Sequence, residues 1–252
     1  MIKSYDFNGK TIIVAGSGGI GAAVAKKLNG YGARIVLIDI NNDAMQETLA
    51  QLDGDNAMYE CDFSNVESIE SVIKNIIKEC GPVDGFAHCV GTGAVRPLKM
   101  SKYGYMLNVL NINFFSFVEI VRCLAAKGAF SEQGMNIVGI SAVGAYIGNS
   151  TKTAYCASKA AMNAAVRCMA KELSGKRVRV NTVAPGVTDT PMARAAEDYG
   201  AGSKEHEAII DRQYLGICKP EDIADTVVFL LSDMSRMITG SCIAVDGGKL
   251  SS

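Results

Sequence analysis

Short β-branched runs that recur between amphipathic segments dominate this sequence, and they leave few folds open. Thr11-Ile12-Ile13-Val14-Ala15 reads as a strand, and the stretch from about Gly19 to Asn29 reads as a helix ending near Gly30 and Gly32. Arg34 to Asp39 repeats the strand pattern, and Asp43 to Leu52 the helical one. Asn56–Cys61, Val83–His88, Met135–Ile140, Val178–Ala184 and Cys242–Val245 continue the strand series. The spacing predicts further helices near Asn65–Glu79, Tyr105–Lys127, Thr153–Leu173 and Glu221–Ser232. Strands that are short, apolar throughout and separated by helices are buried on both faces and pair in parallel. Right-handed crossovers then give an α/β, doubly wound sheet flanked by helices. The chain, 1–252, is expected to form one domain. One stretch breaks the rhythm: 186–219 is rich in Ala, Gly and charge, and is expected to be a lid over a ligand site.

Composition narrows the classes of function. The 25 Lys and Arg balance 26 Asp and Glu, which removes the basic footprint of a nucleic-acid binder. No apolar run is seen to approach the roughly 18 residues of a membrane span, so no membrane partner is expected. The first residues, Met1-Ile2-Lys3-Ser4-Tyr5-Asp6, lack the apolar stretch of a signal peptide, and a cytoplasmic location is expected. The eight cysteines are scattered singly, which reads as reduced thiols rather than a disulfide framework. His88 and His206 are far apart and near no cysteine cluster, so no metal is expected.

Two motifs carry chemistry. Gly16-Ser17-Gly18-Gly19-Ile20-Gly21 has the spacing G-x-G-x-x-G, follows a strand and opens a helix. Glycines let the backbone approach a pyrophosphate, and the helix amino terminus offers free N–H groups. Asp39 ends the next strand, where a carboxylate accepts hydrogen bonds from a ribose diol and repels a 2′-phosphate. The pattern therefore favours NAD(H) over NADP(H), with a glycine-rich turn beside a solvated aspartate as the plainer reading. Tyr155 and Lys159 stand at i and i+4 on one helix face. A nearby ammonium favours the phenolate, which suits a general acid/base near neutrality, although this spacing alone is a common coincidence. Strand Met135–Ile140 ends at Ser141, and the carboxyl ends of parallel strands border the ligand crevice.

These motifs, with Asn181-Thr182-Val183-Ala184-Pro185-Gly186 and the terminal Asp246-Gly247-Gly248, resemble the short-chain dehydrogenase/reductase family over nearly the whole chain. The resemblance implies a single Rossmann-type domain with a parallel seven-stranded sheet. It implies Tyr155 as acid/base and Lys159 as its partner and a nicotinamide-ribose ligand. Ser141 would hold the substrate oxygen, and Asn113 would anchor a proton-relay water. Gly16, Ser17, Gly19, Ile20, Asp39, Asp62, Phe63 and Gly91 would line the nucleotide site, and Pro185, Gly186 and Thr188 would meet the nicotinamide end. Asn181 reads equally well as a residue that ties strands together. A homo-oligomer, tetramer or dimer, is also implied.

The sequence departs from the family pattern in four places. Ala15 replaces the usual threonine, and the glycine loop is one residue shorter. His88-Cys89-Val90-Gly91 stands for the usual Asn-Asn-Ala-Gly. Ser141 lies one position further from Tyr155 than usual, where strict counting selects Ala142; Gly144 keeps its usual offset if Ser141 is chosen. Ser116 replaces a common glycine. The expected reaction is hydride transfer between NAD(H) and a secondary alcohol or ketone, which could be a hydroxysteroid, a 3-oxoacyl thioester or a sugar alcohol. Tyr146 and Met192 are candidate substrate contacts, and Arg96, Arg194 and Arg212 candidate anion partners. Two other readings stay open, a non-catalytic dinucleotide sensor and a sugar-nucleotide epimerase or dehydratase. Relatives of the second kind carry a longer carboxyl-terminal substrate domain, which is not expected here, and the intact Ser141, Tyr155 and Lys159 weigh equally against the first.

Overall fold

The computed structural model describes residues 5–93, 95–195 and 212–252. Seven strands form one parallel sheet: β1 (Thr11–Ala15), β2 (Arg34–Asp39), β3 (Ala57–Glu60), β4 (Gly85–His88), β5 (Met135–Ile140), β6 (Val178–Pro185) and β7 (Cys242–Val245), in the order β3-β2-β1-β4-β5-β6-β7. This is the doubly wound α/β fold read from the sequence. β1, β2, β5 and β7 begin and end at the predicted residues, because their apolar runs are bounded by polar or glycine positions.

Strand alternation sorts the core into two layers. Ile13, Phe86 and Ile137 project toward one face, where α3 (Ile69–Cys80), α5 (Ser116–Leu124) and α6 (Thr153–Leu173) bring Ile73, Phe117 and Met162. Ile12, Val14 and Ala87 project to the other, against α1 (Gly19–Gly30) and α8 (Pro220–Leu231) with Val24, Leu28 and Val227. Burial of each such side chain contributes ~1.5–3 kcal/mol, so both helical layers hold the sheet firmly. The remaining helices are α2 (Asn42–Leu49), α4 (Tyr103–Leu110) and α7 (Pro191–Ala195).

Two expectations are corrected here. The predicted helix Tyr105–Lys127 is α4 and α5 joined through a π-helical turn at Asn111–Phe115. The joined run Tyr103–Leu124 is 22 residues, long and apolar enough by length and composition to cross a membrane, contrary to the reading that no stretch approaches that length. Its apolarity has a source in this fold, because Phe117, Ile120 and Leu124 pack into the sheet's core.

From β1 the order runs outward to β2 and β3 on one side and from β4 to β7 on the other. The crevice between the carboxyl ends of β1 and β4 is where such a sheet binds ligands. The predicted lid, 186–219, lies outside the described residues from 196 to 211.

Candidate active site

The turn between β1 and α1 is shaped by contacts that exclude side chains. Gly16 adopts φ +93°, and a Cβ there would lie 2.9 Å from the Cys89 carbonyl carbon; a Cβ at Gly21 would lie 1.7 Å from the Gly16 oxygen. Gly19 packs against Thr190, which a Cβ would approach to 3.0 Å. At the end of β2, Asp39 Oδ2 accepts hydrogen bonds from the Ser17 N–H (2.6 Å) and hydroxyl (2.9 Å), and Oδ1 accepts from the Asn41 N–H (3.0 Å). Ser17 thus ties the shortened loop to β2. It is buried and does not line the cleft among the described residues, although its place in the glycine motif predicts a nucleotide contact.

Gly16, Gly19, Ile20, Asp39, Asp62, Phe63 and Gly91 line one cavity of about 410 Å³. Asp62 Oδ1 accepts from the Ser64 N–H at 2.9 Å, which fixes the turn after β3. Thr190 and Pro191, which no sequence motif marks, close this cavity from the far side.

Tyr155 and Ser141 line both this cavity and an adjoining one of about 400 Å³. Lys159, one helical turn beyond Tyr155, is buried, and its ammonium donates to the Ile140 carbonyl at 2.7 Å. Burial pushes its pKa down to about 8, an effect Cys89 opposes. Nζ stands 5.9 Å from the centre of the Tyr155 ring. Asn113 lies in the π turn, a local widening often found at functional sites. Its Oδ1 accepts from the Thr92 N–H (2.7 Å), and its Nδ2 donates to the Thr92 carbonyl (2.9 Å) and the Ser158 hydroxyl (2.9 Å). Its side chain is therefore committed to fixing the segment after β4 against α6. Ser141 Oγ lies 3.4 Å from the Lys159 carbonyl oxygen. Gly93 permits close approach to Tyr155, whose ring a Cβ there would meet at 2.5 Å.

Two departures from the family pattern meet in space. The Ser116 hydroxyl donates to the Ile112 carbonyl (2.7 Å) and lies 2.9 Å from His88 Nε2. With the serine hydrogen already used, His88 must donate from Nε2, which leaves Nδ1 as a buried acceptor with no partner among the described residues. Burial, helped by the Lys159 charge, holds the His88 pKa down to about 3, so the ring is neutral. Asn181 ties β6 to the turn before β7, donating to the Ile238 carbonyl (2.9 Å) and accepting from the Ser241 N–H (3.1 Å).

The second cavity holds Pro185, Gly186, Thr188 and Met192. Gln213, which stands in no recognisable motif, locks this turn: its side chain accepts from the Val187 N–H (2.9 Å) and donates to the Val187 carbonyl (3.0 Å). Tyr146 is corrected. It lines neither cavity and is turned toward Cys242, at the opposite end of β7 from the crevice. A half-turn at Val143–Ala145 swings it outward. Two of the candidate anion partners are also committed elsewhere: Arg96 stacks 4.0 Å above the Tyr105 ring, and Arg194 pairs with Asp189 at 2.6 Å and 2.9 Å. Among the described residues, the cations on the cavity wall are Lys152 and Lys249. Away from the cleft, Glu70, Glu119 and Cys123 cluster, but Arg122 donates to both carboxylates, at 2.5 Å and 2.6 Å.

The model of a family described as enoyl-(acyl carrier protein) reductase matches residues 14–249. Carbonyl reductase family member 4 of Danio rerio is 35% identical over 94% of this chain and 96% of its own length. L-xylulose reductase of Bos taurus is 32% identical over 96% and 97% respectively. The solved structure of a 7α-hydroxysteroid dehydrogenase with NADH and 7-oxo glycochenodeoxycholic acid superposes with a TM-score of 0.88 at 28% identity, covering 96% of this chain and 95% of that one. This chain belongs to the short-chain dehydrogenase/reductase family. The family is one of oxidoreductases that bind a nicotinamide dinucleotide and act on small molecules.

Proposed function

We propose that the protein interconverts a secondary alcohol and a ketone using NAD(H), with Tyr155 as the acid/base. The observation that carries this reading is the position of Tyr155 on the shared wall of the two cavities, one turn from the buried Lys159 ammonium. The first cavity fits a nicotinamide dinucleotide, because Gly16 and Gly19 in its wall leave little room for a side chain and its rim carries the Asp39 carboxylate. When bound, the nicotinamide supplies or accepts the hydride.

The chain's own groups handle the proton. In the reducing direction the Tyr155 hydroxyl donates to the carbonyl oxygen, where negative charge develops. The Lys159 ammonium, held by the Ile140 carbonyl, stabilises the resulting phenolate through a medium of low dielectric. Asn113, fixed by Thr92 and Ser158, ties the π turn to α6 one residue from Lys159. Ser141 orients the substrate oxygen from the end of β5. Asp39 selects NAD(H), since its carboxylate would accept from a ribose diol and repel a phosphate. Substrate classes in keeping with the relatives' names are carbonyl compounds, sugars and hydroxysteroids.

Fluorescence titration with NADH and NADPH, followed by a ketone and alcohol panel read by nicotinamide absorbance, tests the proposal. Tighter NADH binding with turnover is expected. No binding of either nucleotide, or no turnover on any carbonyl by a protein that binds NADH, overturns it.

A further inference from the structure

We propose that the substrate cavity takes an alcohol or ketone bearing an oxyanion, a carboxylate or a phosphate, held by Lys249 and Lys152. The proposal deepens the dehydrogenase reading and rests on it, because Tyr155 marks the reacting carbon in the same cavity.

Among the described residues, the charges lining this cavity are of one sign. Lys152, Lys249 and no Asp or Glu appear among the described residues of its wall. Both lysines are half-buried, yet neither ammonium has a hydrogen-bond or ion-pair partner among the described residues. Other partly buried cations do pair, Lys27 with Asp225 and Arg34 with Asp55. The nearby carboxylates are already engaged. Asp246 accepts from the Gly248 N–H (3.0 Å) and the Leu250 N–H (2.9 Å), while Asp189 is held by Arg194.

Local stability does not explain these lysines. Burial lowers the Lys249 pKa, the neighbouring positive charges of Arg212 and Lys152 lower it further, and Asp246 only partly opposes them. Lys152 is the N-cap residue of α6, the end of a helix where its dipole disfavours a cation. A partly desolvated cation with no partner costs stability, and two that repel each other cost more. An oxyanion between them would offset both costs. Asn149 and Ser150 on the same wall add uncharged donors. Residues far apart in the chain thus converge on one place where an anion is favoured, beside the acid/base.

The test uses the full chain saturated with NADH and two matched probe pairs: levulinate against methyl levulinate, and dihydroxyacetone phosphate against dihydroxyacetone. In at least one pair the charged member is expected to raise Tm more than the neutral one. Where turnover occurs, its kcat/KM is expected to be about tenfold higher or more, the scale of a hydrogen bond to a charged group. The pair that responds tells carboxylate from phosphate. Replacing both lysines, Lys152→Met with Lys249→Met, is expected to erase the preference; Lys249→Glu is expected to reverse it and Lys249→Arg to keep it. If the double variant fails to fold, those two single variants decide the outcome. Equal Tm shifts within both pairs, no shift from either charged probe, or a preference that survives loss of both lysines overturns the proposal. The Tm shift from NADH alone is the separate control: its absence in the unsubstituted protein counts against the nicotinamide reading, and the charge preference is then scored in the free protein.

Discussion

The two halves of the cleft are built from different materials. The proposed nucleotide half is built on a tight glycine turn: Gly16 and Gly21 leave no room for a Cβ, and Asp39 is held at its rim by Ser17 and Asn41. The substrate half is a side-chain surface drawn from the loops after β5, β6 and β7, with Gln213 bracing the turn after β6 and two lysines on the wall. The first is encoded within one β–α–β unit, so its shape follows from spacing. The second depends on how distant loops fall together, so its chemistry can differ between proteins that share the fold.

The largest expected effect breaks the two halves apart functionally. Tyr155→Phe removes the proton donor without adding bulk, and kcat is expected to fall by ~10²–10⁴-fold. NADH affinity measured by fluorescence should stay within a few fold; unchanged turnover would move the chemistry away from Tyr155.

Packing in the glycine floor comes next. Gly21→Ala places a methyl 1.7 Å from the Gly16 oxygen, whereas a Cβ at Gly18 meets nothing within 4 Å. The first substitution is expected to cost ~1–3 kcal/mol of stability and to cripple nucleotide binding, as overpacking does. Gly18→Ala should bind NADH nearly as well as the parent. Similar affinities for the two variants would show that the floor is less rigid than its contacts indicate.

Asp39→Ala sharpens the comparison at the rim. NADH binding is expected to weaken by about tenfold, the loss of a charged hydrogen bond, and NADPH binding to gain relative to it. A parent protein that already prefers NADPH would reverse the assignment of Asp39. Ser141→Ala is expected to lower kcat more than it raises KM, because the serine would act where charge develops. An unchanged kcat would leave Tyr155 alone with the substrate oxygen.

The effect least felt in the cleft itself belongs to the core beneath it. His88 accepts its proton near pH 3 in the folded protein, against about 6.5 in an unfolded chain. Between those values the unfolded state binds the extra proton, so stability falls on acidification, by up to ~1.4 kcal/mol per pH unit. Urea unfolding at successive pH values should show this slope, and His88→Gln should flatten it. A slope untouched by the substitution would place the acid sensitivity in other groups.

Much of this molecule is legible in the order of its amino acids. The apolar runs mark the strands, since a strand buried on both faces admits little else, and the glycine spacing with Asp39 marks the nucleotide half. The expectations that fail share a cause, which is that side-chain direction depends on the surrounding fold. Ser17 has the sequence position of a ligand contact, but the shortened loop turns its hydroxyl onto Asp39. Nearness in sequence to Ser141 points Tyr146 to the substrate wall, and a short helical turn carries it outward instead. His88 and Ser116 look like unrelated oddities along the chain, yet they bond across 28 positions of sequence.

The sequence by itself determined the sheet, its parallel pairing, the glycine floor and the Tyr155–Lys159 face, because each depends on residues within one turn, one strand or one β–α unit. Only the tertiary structure decided which cations line the second cavity among the described residues. Arg194 is drawn off by Asp189 and Arg96 by Tyr105, while Lys152 and Lys249, nearly a hundred positions apart, are left lining one cavity. Charge pairing depends on distances of a few ångströms between chain-distant groups, and no local pattern records those distances.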